Sequence, residues 1–166
     1  MNFKKYIVIG AVICVIVLLL ALLGGNSDII TPDSACDFMK SQDLITDGYK
    51  SDGMGGYFCV TKYKMLDDKS NIAYYVEGTQ DDVEKLYLTL NVYNGSNVSE
   101  LHEQLVNNAN VLSKQALKYD LTEEDINAIR NGVNTNIKVT DKWKIEIAKN
   151  VWDTKQGYDV QFIIKK

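Results

Sequence analysis

The feature that most constrains this chain is the run YIVIGAVICVIVLLLALL, Tyr6 to Leu23, eighteen residues without a charge. Wound as a helix at 1.5 Å per residue it reaches about 27 Å, against a hydrocarbon core of roughly 30 Å. A cleaved signal peptide has a shorter apolar stretch, about 7–15 residues, and a small-residue exit. Here the exit is Leu23-Gly24-Gly25-Asn26-Ser27. Cys14 is preceded by Ala11-Val12-Ile13 and followed by more apolar sequence, unlike a lipoprotein processing site. The run reads as an uncleaved anchor over 6–23. Residues 1–5 are then a cytoplasmic N-terminus, 24–32 a tether and 33–166 one extracytoplasmic domain. Lys4 and Lys5 precede the run, whereas Asp28 and Asp33 follow it with no base before Lys40. By the positive-inside rule this predicts a single-pass protein of the cell (inner) membrane with its C-terminal domain periplasmic or extracellular.

Charge narrows the partners. Beyond Lys4 and Lys5 the chain holds 16 basic and 22 acidic residues, and Arg130 is its one arginine. Nucleic acid needs clustered Lys and Arg, and bidentate anion recognition favours the guanidinium fork. Neither a nucleic acid nor a nucleotide is expected. The glycine-dense stretch Thr46 to Gly56 lacks the Gly-Lys-Ser/Thr ending of a phosphate loop and leads into a strand, so it reads as a loop. Asp43, Asp47 and Asp52 lack the alternate spacing of a calcium loop. No metal and no cofactor is expected.

An outward domain lies in an oxidising compartment, and it holds two cysteines, Cys36 and Cys59. An even pair there most simply forms one disulfide, worth about 3–4 kcal/mol in the chain-entropy picture. Free thiols, a nucleophile or a zinc site remain alternatives. The last two would have to use His102, the single histidine, and a zinc site would still lack a fourth ligand.

Pattern supplies the elements. Asp33 or Ser34 can open a helix running to about Leu44. Tyr57 to Leu66, Ile72 to Glu77 and Val83 to Tyr93 read as three strands joined by short loops, hence an antiparallel meander. In the third, Leu86, Leu88, Leu90 and Val92 share one face. Asn97 with Glu100 suggests a capping box for a long helix with Leu101, Leu105, Ala109, Leu112 and Ala116 on its core stripe. Thr122 with Asp125 suggests another, for a helix ended by Gly132. Ile137 and Val139, then Trp143 to Ala148 and Tyr158 to Ile164, return to strand periodicity. The expected fold is α+β, a mainly antiparallel sheet of five or six strands with the helices packed on one face.

Ile72-Ala-Tyr-Tyr-Val-Glu-Gly-Thr79 followed by Leu86-Tyr-Leu-Thr-Leu-Asn-Val92 resembles uncharacterised single-pass bacterial envelope proteins. The resemblance spans about thirty residues and implies an envelope setting without any activity.

Catalytic signals are thin. His102-Glu103 lacks the second histidine of a zinc protease, and no Gly-x-Ser-x-Gly elbow occurs. Asp67-Asp68, Asp81-Asp82 and Glu123-Glu124 suit turns or a helix's first turn. The aromatic signal is sharper. With Cys59 turned inward to meet Cys36, alternation turns Tyr57, Thr61, Tyr63 and Met65 inward too. It leaves Phe58, Lys62, Tyr75, Lys85, Tyr87 and Tyr93 outward as a candidate binding face. The functional expectation is a membrane-anchored, non-catalytic interaction module for an envelope protein partner. One form would be an immunity-type inhibitor of an envelope toxin. The rival is an envelope hydrolase using His102.

Overall fold

The structure, a computed structural model, describes residues 30–166. The apolar run 6–23, the start of the tether and Cys14 lie outside them. No helix among the described residues is long and apolar enough to cross a membrane.

The order is α1 (Pro32–Asp37), a 3-10 turn (Lys40–Gln42), β1 (Lys50–Ser51), β2 (Tyr57–Val60), β3 (Lys64–Met65), β4 (Asn71–Gly78) and β5 (Val83–Tyr93). Then follow α2 (Val98–Leu117), α3 (Glu123–Asn131), β6 (Thr135–Lys138), β7 (Lys144–Val151) and β8 (Gly157–Lys165). The strands form one eight-stranded sheet in the order β1-β2-β4-β5-β8-β7-β6, with β3 beside β4, and every pairing is antiparallel. The two helices after β5 carry the chain to the far edge, from which β6, β7 and β8 step back until β8 lies against β5. Gly157 permits that seam, because a Cβ there would fall 2.2 Å from the Val92 carbonyl oxygen.

Side-chain alternation decides which face is closed. Tyr74, Leu88, Phe162 and Ile147 are register neighbours and essentially fully buried. Fully burying a side chain of this size contributes about 1.5–3 kcal/mol. Against this face lie Leu101, Leu105, Ala109 and Leu112 of α2, buried at helical spacing. α1 joins the same side, where the buried Tyr74 hydroxyl donates to the Ala35 carbonyl at 2.8 Å. Cys36 and Cys59 form a disulfide there, with Cα atoms 6.1 Å apart, well within bridging range. Fold class, helices on one side and the Cys36–Cys59 bridge thus follow the sequence reading.

Several expectations are corrected. The sheet has eight strands, not five or six, because β1, β3 and β6 are short pieces at its margins. The first helix does not reach Leu44. Thr31 precedes it without a side-chain cap, Pro32 opens it, and after Asp37 the chain tightens to the 3-10 turn and leaves through Asp43 at φ +58°. Tyr57 to Leu66 is not continuous. Thr61 Oγ1 accepts from the Tyr74 N–H, its own N–H reaches the Tyr74 carbonyl, and its other side bridges Thr46. Beyond this interruption the alternation is lost, so Tyr63 and Met65 point to solvent, 60% and 54% exposed, instead of inward. Asn97 precedes α2 without capping it, its amide donating to Glu100 instead. The Thr122–Asp125 capping box is complete, and Gly132 closes α3 at φ +59°.

Candidate recognition face

The outer sheet face, opposite the described helices, is built in cross-strand rows. One row is Val60, Tyr75, Tyr87, Ile163 and Glu146. The next is Ala73, Thr89, Gln161 and Ala148, whose small members Ala73 and Thr89 are recessed and buried. Beyond lie Asn71, Asn91, Asp159 and Asn150. On the other side of the tyrosines, Phe58, Glu77 and Lys85 stand in line.

The tyrosine pair is ordered by its neighbours. The Tyr75 and Tyr87 rings stack at 4.6 Å with 4° between planes. The Lys85 ammonium sits 4.0 Å above the Tyr87 ring and 3.4 Å from Glu77, and the Tyr87 hydroxyl donates to Glu77 Oε1 at 2.5 Å. Burial pushes the Tyr87 hydroxyl well above the ordinary phenol value, with the Glu77 hydrogen bond adding to it. Tyr75 is raised by burial first and by the neighbouring Tyr63 hydroxyl second. Both stay neutral at physiological pH. The face therefore offers flat aromatic area, a held cation and a held carboxylate.

The expected face residues do not all meet. Phe58, Tyr75, Lys85 and Tyr87 share adjacent rows, Phe58 with the Lys50 ammonium 5.7 Å from its ring. Tyr93 is outward but at the other end of β5, edge-on to Trp152 at 4.8 Å. Lys62 lies off the rows, in a cleft of about 620 Å³ at the β2–β3 edge with Asp43, Ile45, Val60 and Tyr63. Sequence reasoning missed Glu77, Ile45, Tyr63 and Trp152. Glu77 was legible in principle as the residue facing Lys85 across the β4–β5 hairpin. Tyr63 was not, since nothing in the alternation announces the break at Thr61.

His102 is placed as a structural tie. It is buried, with Nδ1 2.5 Å from the Arg130 carbonyl oxygen and Nε2 3.0 Å from the Tyr158 hydroxyl. The carbonyl can only accept, so Nδ1 donates, and the ring fastens α2 to α3 and β8. Glu103 beside it is taken by Arg130. Among the described residues no group of three or more His, Cys, Asp or Glu could hold a metal ion. Set against family models, curated proteins and solved structures, the chain matches none.

Proposed function

We propose that the chain is a single-pass bacterial envelope protein, anchored by residues 6–23, whose outward domain is a non-catalytic recognition module for another envelope protein. The carrying observation is the asymmetry of the sheet. Its described helices crowd one face, and the other presents the stacked Tyr75–Tyr87 pair flanked by Lys85 and Phe58. Tyrosine supplies large contact area at low entropic cost and is enriched at interface centres. The Cys36–Cys59 bridge supports the outward placement, because structural disulfides persist in oxidising compartments. An anchor raises the effective concentration toward partners at the same membrane. A net charge of −4 suits a basic partner, as for an immunity-type inhibitor. The hydrolase reading draws no support from His102, whose two nitrogens meet a carbonyl and a phenol rather than a carboxylate and a nucleophile.

The test places a photo-crosslinking amino acid in the full chain, in cells, at position 62 beside Tyr63 or at position 115 on the exposed side of α2. A discrete protein adduct from 62 and none from 115 is expected. Equal adducts from both positions, or none from 62, would defeat the proposal.

A further inference from the structure

The chain is acidic, yet its charge is unevenly placed. Residues 24–134 hold nine basic residues against eighteen acids, whereas 135–166 hold seven lysines against four. The sheet concentrates those lysines further. Lys138 faces Lys144, Lys144 faces Lys165 and Lys165 faces Lys85, directly opposed across β6, β7, β8 and β5. Like charges in that arrangement destabilise a sheet. Three are answered: Lys138 by Asp141, Lys165 by Glu146 and Lys85 by Glu77. Lys144, and Lys142 in the β6–β7 turn, have no carboxylate within ion-pair distance among the described residues.

Both unanswered lysines line a cleft of about 410 Å³ together with Lys138, Asp141, Trp143 and Lys166. Lys166 is paired with Asp82 and holds its ammonium 5.1 Å from the Trp143 ring. Trp143 is 4% exposed, and among the described residues its Nε1 is a buried side-chain donor without a hydrogen-bond partner. A buried donor left unpaired is costly and rare, and it points to a missing acceptor. One cleft is thus lined both by the residue that carries an orphaned indole N–H and by two lysines without a carboxylate partner.

We propose that this cleft binds a phosphate-type anion, with Lys142 and Lys144 as its cationic donors and the Trp143 indole as a neutral one. Lysine presents a compact point charge, suited to a tetrahedral anion with several oxygens. The fork that favours a planar carboxylate is absent here, because Arg130 lies on α3 paired with Glu103. The acidic remainder of the chain opposes free anions from a distance, so phosphates held at high local density are favoured over dilute ones. A phospholipid headgroup and a soluble phosphate share this chemistry. The site does not depend on the tyrosine face, and either reading can fail alone.

The experiment follows the two indole N–H signals of the ¹⁵N-labelled full chain in neutral detergent micelles during titration with inorganic phosphate, against sodium chloride at equal ionic strength. Phosphate should move the Trp143 signal saturably and leave that of Trp152, which already donates to Asp159 at 3.2 Å. Lys142→Gln and Lys144→Gln should each raise the half-saturating concentration about tenfold, the scale of one charge-assisted contact, while Lys69→Gln leaves it unchanged. Micelles doped with phosphatidylglycerol identify the source. Saturation at a lower phosphate content than with the free ion assigns the headgroup, and the reverse assigns a soluble phosphate. The proposal is overturned if chloride reproduces the shift, if the two lysine variants titrate like the parent, or if neither phosphate source moves Trp143. The dispersion of each variant's spectrum reports its folding.

Discussion

The two faces of β4, β5 and β8 share one backbone and alternate residue by residue, yet they are held by different physics. On the inner face Tyr74, Leu88 and Phe162 stand side by side with no exposed surface, and their stabilisation is area removed from water. One residue along, Tyr75, Tyr87 and Ile163 form the outer row, where Tyr75 and Tyr87 keep part of their surface in solvent. There order comes from pairs: a ring stack, an ammonium over a ring, a hydroxyl on a carboxylate. Even the same residue type is used differently. The Tyr74 hydroxyl ends on a backbone carbonyl inside the fold, whereas that of Tyr87 ends on a charged side chain within reach of a partner. Area-based stabilisation builds a scaffold. Pairwise order on an accessible face leaves a surface that is rigid and still available.

Substitutions can break this contrast. The largest effect belongs to Phe162→Ala, which opens a cavity on the inner face and should cost about 3–5 kcal/mol in urea unfolding. Removing the bridge with Cys36→Ala and Cys59→Ala together should cost about 3–4 kcal/mol by the same assay. Alkylation in intact cells should leave both cysteines unmodified until a reductant is added. Tyr74→Phe should cost about 1–1.5 kcal/mol, because the Ala35 carbonyl loses its buried hydroxyl donor and keeps only the Phe38 N–H. Tyr87→Phe removes an outer hydroxyl and should cost less than about 1 kcal/mol. A loss at Tyr87 equal to that at Tyr74 would erase the distinction.

Alkali sharpens the comparison through both faces at once. Tyr74, Tyr75 and Tyr87 all have phenol values raised by burial. A raised value means that the fold keeps protons which the unfolded chain releases near pH 10. Their contribution is therefore complete below about pH 10 and is lost as pH rises beyond it. Melting temperatures followed through that range should fall, with tyrosinate absorbance from these three rings appearing only on unfolding. Ionisation of all ten tyrosines near the ordinary value in a chain that stays folded would contradict the burial described.

Legibility followed the range of the interactions. β5 runs from Val83 to Tyr93 as its alternation predicts, and the Thr122–Asp125 box is a contact three residues apart. The disulfide was legible because two cysteines leave one pairing. What escaped depended on distant partners. The two-residue β1 exists because Phe58 and Tyr57 offer it an edge, and the break at Thr61 arises from a side chain that takes a ladder bond of β4. The lysine row was hidden for the same reason. Lys85, Lys138, Lys144 and Lys165 are scattered along the chain, and only strand order and register align them. Counted as a whole the domain is acidic, yet register brings these four lysines into one row.

The most direct measurement sets two readouts on one variant, Tyr75→Ser with Tyr87→Ser in the full chain carrying the photo-crosslinker at position 62. A recognition face predicts that the protein adduct is lost while the melting temperature falls by only a few degrees, well short of the fall caused by Phe162→Ala. An adduct that survives undiminished, or a thermal loss as large as that of Phe162→Ala, would contradict it.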